Sequence, residues 1–76
     1  MQRKVVEKLR MIPVSSSNLS SVGYENGTLY IAFNSGGMYA YFDVPLSVYH
    51  GLMAASSKGG YHARYIKNVY SYQRIN

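Results

Sequence analysis

The 76-residue sequence contains no cysteine, no tryptophan and only three acidic residues. Without cysteine, neither a disulfide framework nor a thiolate zinc site can form. The two histidines, His50 and His62, have no third metal ligand near them in the sequence, so we expect no structural metal. The carboxylates of Glu7, Glu25 and Asp43 are scattered and form no acid–base pair. These shortages predict a protein that is not an enzyme and needs no cofactor.

Long apolar stretches are also missing. No segment approaches the ~20 apolar residues that a transmembrane helix needs. The start of the chain, Met1–Glu7, is basic but lacks the apolar region of a signal peptide, so we expect a cytoplasmic protein with no membrane partner. One domain of this size lies near the lower limit for folding alone, which predicts a homodimer or larger homo-oligomer.

Positive charge and tyrosine are abundant. The net charge is +5 and the pI is about 9.6, which favours anionic partners, although excess charge can also serve solubility alone. Seven of the nine tyrosines follow Met38, where they are interleaved with Lys58, Arg64, Lys67 and Arg74. Tyrosine offers a flat face for a nucleobase, and Lys or Arg attracts phosphate.

The first part of the chain predicts a short N-terminal helix followed by strands. Residues 1–13 form an N-terminal segment, either helical or an arm, in which apolar residues at helical spacing precede Pro13. Residues 14–76 form the remaining domain. Within it, Leu19 to Tyr24 predicts a strand, and Asn26-Gly27 predicts a hairpin turn into the strand 28–34.

A second turn, Ser35–Gly37, leads into a strand from Met38 to Phe42. Alternation places Leu29, Ile31 and Phe33 on one face of the sheet. We assign Met38, Ala40 and Phe42 to that same core face. This assignment puts Tyr39 and Tyr41 on the opposite surface, with Tyr30.

The second half predicts helices behind the sheet. Leu46 to Ala55, after Pro45, has helical spacing, Ser56–Gly60 reads as a loop, and a second helix runs from Tyr61 to about Asn68. The segment 70–75 is extended and is a candidate fourth strand. The predicted fold class is therefore α+β: a small three- or four-stranded antiparallel sheet against one or two helices, with a short N-terminal helix.

Several of these strings resemble one known family. Val14–Leu19, Val22–Tyr24 and Ser35–Pro45 resemble the KTSC domain, and Tyr39-x-Tyr41 corresponds to its YxY motif. The resemblance extends to residue 75, with a departure at 60–65. This domain is found at the C-terminus of some lysyl-tRNA synthetases and as free-standing small bacterial and phage proteins. The resemblance implies the α+β fold and suggests RNA binding.

The candidate ligand-binding residues combine tyrosine faces, a Ser-Lys-Gly loop and cations: Tyr39, Tyr41, Ser56, Ser57, Lys58, Gly59, Arg64, Lys67, Tyr70, Tyr72 and Arg74. Tyr39 and Tyr41 either stack on bases or pack, half-buried, beneath the C-terminal segment. The loop is either an anion cradle or a flexible helix stop. The basic residues form either a binding wall or a solvated helix face. Ser15–Ser17 either donates hydroxyls to phosphate or caps a neighbouring element.

These features predict non-enzymatic binding of a nucleotide-type anion. One version is sequestration of a short oligonucleotide or nucleotide signal at a dimer interface, in the manner of a phage anti-defence sponge protein. A second is an RNA-binding module, as the synthetase-associated relatives suggest. The alternative from another class is a protein–protein interaction module that uses the tyrosine-rich surface.

Overall fold

The computed structural model describes residues 9–76, which form one antiparallel sheet covered on one face by helices. Its five strands are hydrogen-bonded in the order β1-β2-β3-β4-β5. The elements are β1 Ile12–Pro13, β2 Leu19–Glu25, β3 Thr28–Phe33, β4 Met38–Tyr41, α1 Leu46–Ala54, α2 Lys58–Tyr61, a π-helix His62–Ile66, and β5 Tyr72–Arg74. The α+β class is confirmed, with five strands instead of the predicted three or four.

The turn between β2 and β3 forms as predicted. Asn26 and Gly27 both have positive φ, 52° and 82°, and Glu25 pairs with Thr28 on either side of them. A two-residue hairpin loop with two positive φ angles matches the right-handed twist of its strands, and Asn-Gly adopts it with little strain. The turn sets the register that carries Val22 opposite Ile31.

The register of β3 with β4 overturns the predicted faces of the tyrosines. Leu29 pairs with Tyr41, and Ile31 pairs with Tyr39. Directly opposed residues of an antiparallel pair project to the same face, so both tyrosines lie on the helix-covered face with the core residues. The prediction that they occupy the opposite surface is wrong, because a register change of one residue exchanges the two faces of a strand.

The opposite face of the sheet carries Met38 and Ala40, beside Tyr30. Ala40 is buried there although it was assigned to the helix-covered core. Phe42 lies beyond the end of β4 and is exposed. The alternation of β4 was therefore recognised correctly, and the choice between its two faces was not.

α1 begins at Leu46 as predicted and ends one residue earlier, at Ala54, whereas the second helical segment has different bounds from those predicted. α1 follows Pro45, and the second helical segment begins at Lys58, so the predicted loop 56–60 is shorter. The Ser57 Oγ caps this segment by accepting from the amide of Gly60 at 3.2 Å. The segment closes with the Lys67 amide donating to the His62 carbonyl at 2.8 Å, an i to i+5 bond, before the predicted end at Asn68.

The core lies between the helices and the covered face of the sheet. Leu52 from α1 and Ile66 from the π-helix are fully buried in one cluster with residues of β2, β3 and β4: Leu19, Val22, Leu29, Ile31 and Tyr41, together with Val44. Tyr70 packs against this cluster, partly buried.

Both ends of the described chain add edge strands. The predicted N-terminal helix over residues 1–12 lies mostly outside the described residues, and Ile12–Pro13 is the strand β1, paired with Val22 and Ser21. At the other edge, β5 pairs Arg74 with Tyr39 and Tyr72 with Tyr41. The candidate strand from the C-terminal segment is thus confirmed, and it brings Tyr72 and Arg74 onto the covered face.

Candidate ligand-binding site

A cleft of about 280 Å³ opens at the end of the covered face that α1 leaves free. Three strands and the π-helix contribute its five rings: Phe33, Tyr39, Tyr41, His62 and Tyr72. We call it the aromatic cleft. It forms because i, i+2 alternation places Tyr39 and Tyr41 together on β4, and pairing with β5 places Tyr72 beside them.

The rings contact one another at the distances expected of packed aromatic groups. The centroid of Tyr72 lies 5.8 Å from that of Tyr39 and 5.7 Å from that of Tyr41. Phe33 meets Tyr39 edge-on, at 5.7 Å and 83°. Such arrangements are worth about 0.5–1.5 kcal/mol per pair beyond the burial of area. The floor of the cleft is therefore preformed by ring packing and does not depend on a ligand.

Burial sets the protonation of the one hydrogen-bonded pair in this floor. The Tyr41 hydroxyl lies 2.8 Å from Nε2 of His62. Burial, with smaller contributions from Tyr39 and Tyr72, raises the pKa of Tyr41 to about 12. Burial, followed by the charge of Lys67, lowers the pKa of His62. At neutral pH both groups are therefore uncharged, and the tautomer of His62 decides which of the two atoms donates the hydrogen bond.

Positive charge stands at the rim of the cleft. The guanidinium carbon of Arg74 lies 5.9 Å from the ring centroid of Tyr39, within cation–π range. The same guanidinium covers Gly37, where an added Cβ would come within 3.1 Å of it. Lys67 and Asn68 line the cleft at the end of the π-helix. Neither Glu25 nor Asp43 lines it, so the described part of the cleft carries no carboxylate.

Comparison with known proteins assigns this architecture to a family. The family model of the KTSC domain matches residues 15–70. The chain belongs to the KTSC domain family. A crystal structure of a KTSC domain protein from Yersinia pestis superposes with a TM-score of 0.87 at 36% identity, over 90% of this chain and 99% of that one.

Relatives of this KTSC domain include parts of larger proteins. A lysine–tRNA ligase of Nostoc sp. is 43% identical over 49 residues, which is 64% of this chain and 9% of the ligase. A protein of Tsukamurella paurometabola is 39% identical over 51 residues, 64% of this chain and 76% of that protein. The chain thus spans about a tenth of the length of the ligases that it matches.

The KTSC fold divides the predicted site residues among separate places. Four of them, Tyr39, Tyr41, Lys67 and Tyr72, line the aromatic cleft, and Arg74 stands over its Tyr39. The other predicted residues do not line it: Ser56, Ser57, Lys58 and Gly59 face the loop 15–18, Arg64 lies in a depression next to these serines, and Tyr70 packs on the core. The eleven predicted residues therefore do not form one continuous site in this KTSC domain.

Two residues that line the cleft, Phe33 and His62, are not among the predicted site residues. Phe33 continues the alternation of Leu29 and Ile31, so its place at the end of the covered face was visible, but it was assigned only to the core. The predictions from the sequence consider His62 only as a metal ligand and not as part of a binding site. Its position near the centre of the 60–65 departure from the family pattern was the available signal, since a histidine there contacts both Phe33 and Tyr41.

Two further properties concern residues 9–76 of this KTSC domain. No three potential ligands among their His, Asp and Glu side chains come together in a way that would hold a metal ion. None of their helices combines the length and apolar character required to cross a bilayer.

Proposed function

We propose that this KTSC domain binds a nucleotide-type anion without catalysis, with the base in the aromatic cleft and phosphate near its rim. The observation that carries the proposal is the convergence of stacked rings and cations in one cleft whose described lining has no carboxylate. Rings of Tyr39 and Tyr72 supply the faces, and Lys67 and Arg74 supply the charge. Aromatic faces with cations are the recurrent equipment for single nucleotides and single strands.

The size of the cleft restricts what enters it. Its volume of about 280 Å³ is at the lower end of the about 300–1,000 Å³ typical of ligand pockets. One base is therefore expected inside, with sugar and phosphate outside near the cations. Tyr72 is 56% exposed, so its ring is available to a base, whereas Tyr41 is 4% exposed and serves as floor.

The polar groups of the aromatic cleft support binding without reaction, because Tyr41 and His62 are already hydrogen-bonded to each other. Ser56 and Ser57 line a different cleft, so neither of these serines meets the imidazole in the aromatic cleft. A bound nucleotide would be held and withheld from other proteins. In this form the domain acts as a sponge for a short oligonucleotide or nucleotide signal, with a second copy of the chain as a candidate partner.

RNA is the second candidate ligand. The observation that favours it is that several relatives are named lysine–tRNA ligases. An unpaired base of an RNA loop or end presents the same stacking face as a free nucleotide. The two ligands would therefore share the cleft and differ in how many phosphates lie outside it.

Calorimetric titration with nucleoside monophosphates and with short single-stranded RNA tests the proposal. Tyr72→Leu should raise the Kd by about tenfold, since the stacking of one base on an aromatic ring is worth about 1–3 kcal/mol. The control is Tyr30→Leu, which changes a tyrosine on the opposite face of the same sheet and should leave the Kd unchanged. Equal losses in both variants, or no binding of any nucleotide by the folded wild-type protein, would refute a nucleotide site in the aromatic cleft.

A further inference from the structure

Two polar loops face each other across a second cleft, which shares no lining residue with the aromatic cleft. The loop 15–18 and the segment 56–59 enclose about 400 Å³. We call this cleft the serine groove, because five of its eight lining residues are serines. Two loops that lie about forty residues apart in the sequence have thus been brought together by the fold.

Two hydroxyls of the serine groove, those of Ser16 and Ser57, already accept hydrogen bonds from backbone amides. The Ser16 Oγ accepts from the amides of Asn18 and Leu19, both at 3.1 Å. Since a hydroxyl oxygen has two lone pairs, this oxygen is saturated and its own proton remains to be donated. The Ser57 Oγ likewise accepts from the Gly60 amide. A ligand that offers acceptor oxygens is therefore complementary to these two hydroxyls.

The groove also holds a fixed positive charge. Lys58 is half-buried, and its Nζ donates to the Ala55 carbonyl at 3.0 Å. An ammonium has three N–H donors, so two remain for a ligand after this bond. Glu25 and Asp43, the acidic residues that the structure describes, do not line the groove. The ligand that fits is consequently an anion rich in acceptor oxygens.

The two walls of the groove are in contact at Gly59 and Asn18. A Cβ added at Gly59 would collide with the side-chain amide of Asn18, so these two residues are in close contact. The side-chain amide of Asn34 donates to the Ser16 carbonyl at 2.9 Å, and its backbone amide donates to the Asn18 carbonyl at 2.8 Å, so the loop 15–18 is bound to the turn after β3. Donors fixed in this way lose little entropy when a ligand binds.

We infer that the serine groove is a second anion site, which binds the phosphate group of a nucleotide independently of the aromatic cleft. An adjoining depression of about 420 Å³ shares Ser56 and Ser57 with the groove and contains Arg64 and Tyr65. Tyr65 is 49% exposed, so its ring can receive the base of a nucleotide whose phosphate lies among the serines. The inference does not depend on the proposed function, because the two sites have separate residues.

Titration of the ¹⁵N-labelled full chain with inorganic phosphate, at constant ionic strength, tests the site residue by residue. Saturable chemical-shift changes should appear at the amides of Asn18, Lys58 and Gly59, and not at Tyr39. Lys58→Gln should raise the Kd for phosphate by about tenfold or more, as expected for a charge-assisted hydrogen bond. Arg10→Gln removes one positive charge at an exposed position outside both clefts and should change the Kd less than twofold.

A non-saturable response, or equal losses in Lys58→Gln and Arg10→Gln, would overturn the site, since either would indicate attraction to net charge alone. Adenosine monophosphate provides the second arm. It should bind the groove more tightly than phosphate, and Tyr65→Leu should abolish the difference. Equal affinities in the wild-type protein would overturn the role of Tyr65. Failure of the aromatic cleft to bind a base would leave the phosphate titration unaffected.

Discussion

The hydroxyl of Tyr41 and Nε2 of His62 lie 2.8 Å apart and connect β4 to the π-helix. Tyr41 is the second tyrosine of the YxY motif, and it is nearly fully buried, whereas Tyr39 is half-buried and faces the cleft. The two positions of the motif therefore have different roles. Tyr41 connects the sheet to the π-helix, whereas the ring of Tyr39 is accessible from the cleft. This difference separates stability from binding in the experiments below.

Tyr41→Phe should destabilise the fold, because it removes the hydroxyl and leaves the His62 nitrogen in a half-buried place without its partner. The expected loss is about 1 kcal/mol in the free energy of unfolding, measured by urea denaturation. Tyr65→Phe removes an exposed hydroxyl and should stay within about 0.5 kcal/mol of wild type. If the two variants were equally stable, the Tyr41–His62 bond would contribute nothing to the fold.

Stability should decrease as the pH falls below about 6.5, the usual pKa of an unfolded histidine. The pKa of His62 is lowered in the folded protein, by burial first and then by Lys67. Between the two pKa values the unfolded chain binds more protons, so acid favours unfolding, and the loss levels off below the folded pKa. Thermal unfolding from pH 7.5 to 4.5 measures this slope.

His62→Gln should flatten the pH dependence over that range, since glutamine does not titrate. His50→Gln provides the matched control, because His50 is exposed on α1 and lies outside the cleft. An unchanged slope in His62→Gln would show that another group accounts for the acid sensitivity.

Local signals in the sequence were sufficient for the strands β2, β3 and β4 and insufficient for β1 and for the faces of β4. Asn26-Gly27 specifies its own turn through the positive φ that it tolerates, so the β2–β3 hairpin was predictable. In Met38–Tyr41, by contrast, both alternating sets are hydrophobic, and only the long-range pairing with β3 decides which set meets the helices. The inverted assignment of Tyr39 and Tyr41 follows from that ambiguity.

The candidate site was predicted by residue type and not by grouping. The sequence indicates tyrosines and cations as a class of candidate residues, but which of them meet depends on contacts between distant parts of the chain. Arg74 reaches Tyr39 only because β5 returns to pair with β4. Lys58 and Ser16 line one groove that no local pattern in the sequence indicates. The predicted helix from Tyr61 to about Asn68 contains both Arg64 and Lys67, yet the π-helix ends before Lys67.

Gly51→Ala should destabilise the protein, against the usual trend for helices. Alanine in place of glycine in a helix interior normally stabilises by about 0.5–1 kcal/mol. Here an added Cβ would collide with the hydroxyl of Tyr61 and lie 2.8 Å from its Cζ. Overpacking of this kind costs about 1–3 kcal/mol, which outweighs the gain in propensity.

A double-mutant cycle with Tyr61→Leu checks this cause. In the Tyr61→Leu background the ring is gone, so Gly51→Ala should cost less than it does alone, or stabilise. Equal effects in both backgrounds, measured by urea denaturation, would show that Tyr61 is not the obstacle.

Salt dependence separates a nucleic-acid ligand from a protein partner. Each phosphate of a single strand that a cation neutralises contributes a slope of about −0.7 to log K against log salt concentration. Lys67→Gln and Arg74→Gln should each reduce the slope for a short single-stranded RNA by about that amount, while Arg10→Gln should leave it unchanged. Fluorescence anisotropy at about 50–300 mM salt, a range over which the Debye length shortens, gives the slopes. A flat salt dependence would remove phosphate recognition from the cleft, and the exposed ring of Tyr72 would then be better explained as an anchor for a protein partner.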